Sequence, residues 1–163
     1  MQRAYYTLAG WSANPNTSPD NPTYGINGYV TVGATDATYY AIWKHHIDPF
    51  YWDGNNGTTD SSIIAKGLPV TNLTAERWNR LKAKIKEISA AKGVTYTYSM
   101  VSSGQGITAT EYNGVRNAIY NIPEHGALPD AKTIGSEILA SLFNGTTSLK
   151  SALNAAIIAW NNS

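Results

Sequence analysis

Two segments of this chain can be laid on each other. Leu73-Thr-Ala-Glu-Arg-Trp-Asn-Arg-Leu-Lys-Ala-Lys-Ile85 matches Ile107-Thr-Ala-Thr-Glu-Tyr-Asn-Gly-Val-Arg-Asn-Ala-Ile119. The shared pattern is apolar-Thr-Ala-x-x-aromatic-Asn-x-apolar-x-x-x-Ile. A looser third copy, Ile138-Leu-Ala-Ser-Leu-Phe-Asn144, keeps the aromatic and the Asn but loses the Thr. Asn79 and Asn113 are 34 positions apart, and repeats at such a period imply stacked supersecondary units, because one short helix buries too little apolar surface alone. Thr74 and Thr108 are placed to cap helices, and the apolar residue before each can pack back on the first turn. Trp78, Tyr112 and Phe143 are the aromatic anchors. Asn79, Asn113 and Asn144 stand apart, because neither capping nor apolar burial requires them. Their amides are suited to bonding the backbone of a neighbouring loop.

The helical reading extends through the second half. Trp78, Leu81, Ile85 and Ile88 share one face, with Arg77, Arg80, Lys82, Lys84 and Lys86 around the rest. Gly93 ends this helix. Thr95 to Met100 reads as a short strand or extended link. Thr108 and Glu111 have the form of a capping box, Tyr112, Val115, Ile119 and Ile122 give the next apolar face, and Pro123 stops it. Further helices are expected over about 136–143 and 148–160, with a break at Gly145.

The first sixty residues behave differently. Arg3 and Lys44 are their only Lys or Arg, and Pro, Asn and Gly punctuate them. Strands are expected at Ala4–Leu8, Gly28–Val32 and Thr38–Lys44. In the last, Tyr39, Ala41 and Trp43 alternate with Tyr40 and Ile42, so both faces are apolar and the strand reads as central. Ser12 to Asn27 reads as a surface loop. Trp11 and Trp43 are expected in the β core. Tyr24, Tyr51 and Trp52, on loops, are the candidates for a binding surface.

Charged residues make up only 14% of the chain and apolar residues 42%, so Asn, Thr, Ser and Gly must carry the surface. That balance opposes disorder. A net charge of +1 gives no general attraction to nucleic acid. The basic face of the first helix reads as solvated. No apolar run is long enough to span a membrane. Cysteine is absent, which excludes disulfides and thiolate chemistry.

Groups that could carry chemistry are few. His45 and His46 are adjacent at a strand end, so they point to opposite faces and chelate poorly. Trp52-Asp53-Gly-Asn-Asn-Gly-Thr-Thr-Asp60 resembles a calcium loop, but Gly57 arrives one residue early and no later Glu follows. A turn is expected there, with Asp53, Asn55 and Asp60 as an oxygen cluster of nonstandard spacing. No nucleophile elbow and no phosphate loop occurs. No enzyme activity, cofactor or metal is expected.

Gly10-Trp11-Ser12, then Tyr24, Gly25 or Gly28, then Asp36-Ala-Thr-Tyr-Tyr-Ala-Ile-Trp43 resembles the closing pattern of internalin B-repeats (the Listeria–Bacteroides repeat) over about residues 4–44. That family is β-grasp-like and serves as a spacer or adhesion module on cell surfaces. The family's opening strands should precede Tyr6, where too few residues remain, so the resemblance implies an abridged module or one completed by a partner. Residues 66–158, with Gly104-Gln-Gly-Ile-Thr-Ala-Thr-Glu-Tyr-Asn113 and the copy from Leu73 to Asn79, resemble helical repeats of virion structural proteins in phages and prophages of gut Firmicutes.

The expectation is therefore an α+β chain. A small β-grasp-like or partial β module at 1–46 leads through a linker at 47–65 to an array of short helices at 66–163. The expected role is non-enzymatic: a virion component of tail, fibre or head-surface type, acting through other virion proteins or copies of itself. A homo-oligomer is expected, and attachment to a host glycan or protein is the further role. The rival is a cell-surface adhesion or carbohydrate-binding module. The expected location is a virion or the cell exterior, without nucleic acid and without membrane insertion.

Overall fold

The computed structural model describes residues 3–29, 31, 36–64 and 73–163. The fold is α+β. A three-stranded antiparallel sheet holds β1 (Tyr6–Ser12), β2 (Tyr24–Gly25) and β3 (Tyr40–His45). Three longer helices follow: α2 (Ala75–Ala91), α3 (Ala109–Tyr120) and α5 (Leu149–Asn161). Two single turns, α1 (Asp60–Ile63) and α4 (Ser141–Asn144), complete the set among the described residues. The chain divides into two units, residues 1–47 with 160–163, and residues 48–159. No helix among the described residues is long and apolar enough to cross a membrane.

In the first unit the strand order is β2-β1-β3. Among the described residues β1 is the central strand and β3 lies at the edge, against the expectation from its two apolar faces. Alternation reports burial on each face of a strand, not the number of its hydrogen-bonded neighbours. Tyr6 pairs with His45, Leu8 with Trp43, Gly10 with Ile42 and Trp11 with Ala41, with a bulge between Leu8 and Gly10. Tyr24 and Gly25 form a strand within the segment expected to be loop. Gly28 and Tyr29 lie outside any strand, and Val30 and Val32 fall outside the described residues. Gly10 has a steric cause: a Cβ there would lie 2.2 Å from the Tyr24 carbonyl oxygen and 2.8 Å from Pro22 Cβ.

The second unit holds the repeats. Both predicted caps form: Thr74 Oγ1 accepts from Arg77 N at 3.3 Å, and Thr108 Oγ1 from Glu111 N at 3.1 Å. After α2, Val94 N donates to Ser89 O and Gly93 N to Ala90 O, the paired bonds of a Schellman turn. Gly93 sits at φ +71°. A side chain there would be strained, which is why glycine ends this helix. Residues 94–107 form no strand, and a turn at Ser103-Gly104, closed by Gln105 N donating to Ser102 O, interrupts them. The helix expected over 136–143 is only the four residues of α4. This third copy lacks the capping Thr, and Gly145 closes the turn with extended backbone. Residues 48–64, expected as linker, supply Phe50, Trp52, Asp60 and Ile64 to the buried interior.

The repeated aromatics converge. Phe143 meets Trp78 and Tyr112 edge-on, with ring centroids 5.9 Å apart in each case, and Trp52 at 6.1 Å. All four side chains are fully buried. Each ring places its positive edge against a negative face, which favours this arrangement over parallel stacking.

The repeated asparagines also have a common task. Asn79 Nδ2 donates to Val101 O, and its Oδ1 accepts from Val101 N, both at 2.9 Å. Asn113 does the same to Lys132, at 2.6 and 2.8 Å. Each helix thus clasps the extended arm that follows it by both backbone groups of one residue. Asn144 departs from the pattern: its Oδ1 accepts from Lys150 Nζ at 3.2 Å. Two unanticipated residues repeat the clasp on α5, Asn154 on Phe50 in the second unit and Asn161 on Ile47 in the first.

Candidate functional site

Cross-strand partners share a sheet face. Tyr6, Leu8 and Trp11 on β1, Ala41, Trp43 and His45 on β3, and Tyr24 on β2 therefore lie on one face. The bulge decides this. Leu8 and Trp11 are an odd number of residues apart, and only the extra residue at Ala9 returns Trp11 to the side of Leu8. The opposite face carries Thr7, Ser12, Ile42 and Lys44. Ser12 is buried there, its hydroxyl bonded to Thr17 Oγ1 at 2.7 Å and Thr23 Oγ1 at 2.9 Å. These bonds hold the 13–23 loop against that side, and Lys44 pairs with Asp20 at 3.2 Å.

At one end of the aromatic face, Trp160 stacks on His45 with centroids 4.0 Å apart and meets Tyr6 edge-on at 6.1 Å. The other end is open. Trp11 is 37% exposed, and Tyr24, Tyr39 and Trp43 are half-buried. Tyr24 and Tyr39 meet edge-on at 5.5 Å. Partial desolvation, with a side-chain hydrogen bond to Tyr24, raises the Tyr39 hydroxyl above its ordinary pKa. Trp11, directly opposite both Tyr24 and Ala41, is diagonal to Trp43. The side chains Tyr24, Trp11 and Trp43 thus form a strip across one face, with Leu8 and the small Ala41 at the other two corners of the Trp11–Trp43 diagonal.

Trp11 and Trp52 exchange their expected places. Trp52, expected on a loop, is fully buried and its Nε1–H donates to Phe143 O at 3.1 Å. Trp11, expected in the core, is an exposed ring. Tyr51 stays half-exposed and lines a groove of about 440 Å³ with Pro49, Gly54, Arg80, Lys84 and Glu87. Tyr40 is exposed on the face opposite Trp11, at 42%. Trp43 also borders a groove of about 350 Å³ with Pro19, Asp20, His45 and Asn161.

The Asp53 loop is occupied by its own donors. Asp53 Oδ1 accepts from Asn55 N at 2.9 Å and Gly57 N at 3.1 Å, and Oδ2 accepts from the Thr59 amide and hydroxyl. The Asn55 amide leads these donors, which outweigh the loss of solvation and hold the Asp53 carboxyl below its usual range. Asp60, buried, accepts from Asp53 N and from Lys150 Nζ. These oxygens cap a turn. Among the described residues no group of three or more His, Cys, Asp or Glu is arranged to hold a metal.

A second polar cluster lies among α2, α3 and the arm after α2. Lys82, 2% exposed, pairs with Glu111 and donates to Ser99 O at 2.8 Å. Glu111 also accepts from Trp78 Nε1 at 2.8 Å. The capping box is therefore half made: Thr108 caps, while the Glu111 side chain turns to Lys82 and Trp78. Burial first, then the charge of Glu111 and the neighbouring Tyr98, pushes Tyr96 up to about 12. The lysine's charge is matched locally, and the cluster ties two repeats together.

Sequence reasoning missed Asn154 and Asn161. A signal exists: each follows a large apolar residue, as Leu153-Asn154 and Trp160-Asn161, just as Trp78-Asn79 and Tyr112-Asn113 do. Neighbouring helical residues lie about 100° apart, so a ring aimed at the core puts the next side chain at the rim, where an arm can run. The chain matches no protein-family model, no curated protein and no solved structure.

Proposed function

We propose that this chain is a non-enzymatic structural component of a phage or prophage virion, of tail, fibre or head-surface type. It works by assembly with other virion proteins or copies of itself and by attachment to a host surface. The observation that carries the reading is the open strip Tyr24–Trp11–Trp43. Its two tryptophans are the ones that carry the resemblance to a surface repeat, and they lie on adjacent strands of one sheet face. We read the sheet as a partial β-grasp-like module. We read the helices as copies of a helix-and-arm repeat, the third shortened.

The division of labour supports this. The repeated aromatics Trp78, Tyr112 and Phe143 are used up in their own core, which leaves the β module for outward contact. Few charges stand on the sheet, so its contacts depend on shape and apolar area. The experiment is proteomic analysis of density-purified particles from cultures producing the virion. The chain should be recovered in a fixed ratio to the major structural proteins. Its confinement to the soluble cell fraction would refute the reading. A monomeric mass at high concentration would remove self-assembly from it.

A second reading, a bacterial cell-surface adhesion or carbohydrate-binding module, draws on the same exposed rings. Recovery from cell walls of cultures that make no particles separates it from the first.

A further inference from the structure

We propose that the strip Tyr24–Trp11–Trp43 is a stacking platform for a neutral oligosaccharide. This names the ligand class for the attachment half of the function proposed above and rests on it.

Three observations carry it. Tyr24, Trp11 and Trp43 stand on one face of three adjacent strands, placed by the pairs Trp11↔Tyr24, Trp11↔Ala41 and Leu8↔Trp43. A sugar ring offers a flat face of C–H groups, which suits an aromatic face, and several rings in a row suit several successive sugars.

The charge pattern selects the ligand class. On the strands, the acidic or basic side chains are Lys44, on the other face with Asp20, and His45, beneath Trp160 at the far end. Arg3 sits over the Tyr6 ring at 4.1 Å, at that same far end. Near the strip stand the hydroxyls of Tyr24 and Tyr39, neutral donors and acceptors suited to a polyol. An acidic sugar would meet no lysine or arginine on this face of the strands.

The bulge at Ala9 supports a binding role. It places an indole on this face at the cost of regular pairing, and bulges that re-aim a side chain concentrate at functional sites.

The test is NMR of the whole chain with its five indole N–H signals assigned, titrated with chitohexaose, cellohexaose and maltohexaose, and with hexagalacturonate as the acidic comparator. A neutral oligosaccharide should shift Trp11 and Trp43 and leave Trp52 and Trp78 in place. Trp11→Ala should weaken that binding about three- to tenfold, the loss expected of one stacking ring, while Tyr120→Ala, at an exposed ring of the second unit, leaves it unchanged. Titration of the wild type needs no variant, so a misfolded Trp11→Ala does not blunt the test. No shift with any neutral probe overturns the proposal, as does a shift confined to other tryptophans or tighter binding of the acidic probe. If none binds and the chain is still found in purified particles, the platform is wrong and the assembly reading survives. If the chain is absent from particles, the assembly reading falls whatever the titration shows.

Discussion

Replacing Asn79 by alanine removes both prongs of one clasp. Two hydrogen bonds of 2.9 Å disappear, and the amide and carbonyl of Val101 lose their partner. Val101 is 9% exposed, so water replaces the lost bonds poorly. A neutral hydrogen bond is worth about 1 kcal/mol net, and an unpaired buried group costs about 1–3 kcal/mol. Partial access of water to a half-buried site puts the sum at about 2–4 kcal/mol. Equilibrium urea unfolding followed by helical circular dichroism measures it. Val101 amide exchange gives the local reading and should accelerate about thirtyfold or more, since each 1.4 kcal/mol is a factor of ten. Asn79→Asp should be no milder, because its second oxygen would face the Val101 carbonyl. Asn144→Ala, which loses only an acceptor for Lys150, should cost less than about 1 kcal/mol. A change below about 0.5 kcal/mol for Asn79→Ala, with unchanged Val101 exchange, would refute the clasp as a source of stability.

Further outcomes follow from the same geometry. Glu111→Gln removes the counter-charge of buried Lys82 and should cost about 3–5 kcal/mol; the double variant with Lys82→Met should recover much of that in urea unfolding. Phe143→Ala empties the meeting point of three rings and should cost about 3–5 kcal/mol by the same assay. The Asp53 carboxyl has a folded pKa below its unfolded value of about 3.9, so its stabilisation is complete above that pH and is lost as pH falls through the folded value. The amides of Asn55, Gly57 and Thr59 should lose exchange protection over that acid range in the wild type, and Asp53→Asn should abolish the pH dependence.

The helices were legible because their signals are local. Thr74, Thr108 and Gly93 act within one turn of themselves, and a period of 3.6 residues identifies Trp78, Leu81, Ile85 and Ile88 without knowledge of a partner. The asparagine clasps were half legible: the repeat singled out Asn79 and Asn113, but the arm each holds lies 22 and 19 residues away. The sheet was less legible. Whether β3 is central depends on which strand pairs beside it, and which face Trp11 joins depends on a one-residue bulge. Trp52 looked like a loop ring because its loop is polar. Its burial comes from Phe143, 91 residues on. The swap of Trp11 and Trp52 is thus a swap of long-range partners, which hydropathy in a short window does not carry.

The segment from Phe50 to Trp52 reaches its partners very late in synthesis. Asn154 lies 104 residues beyond Phe50, and Phe143 lies 91 residues beyond Trp52. At about 5–20 residues per second, a ribosome leaves these rings waiting on the order of 5–20 s after they emerge. During that interval α2 and α3 can form and clasp their own arms, since those contacts span only 22 and 19 residues. The core around Phe143 closes last, when both ends of this unit are present. A stalled or shortened product would therefore carry formed helices and a naked aromatic cluster, the kind of species that chaperones bind and proteases clear.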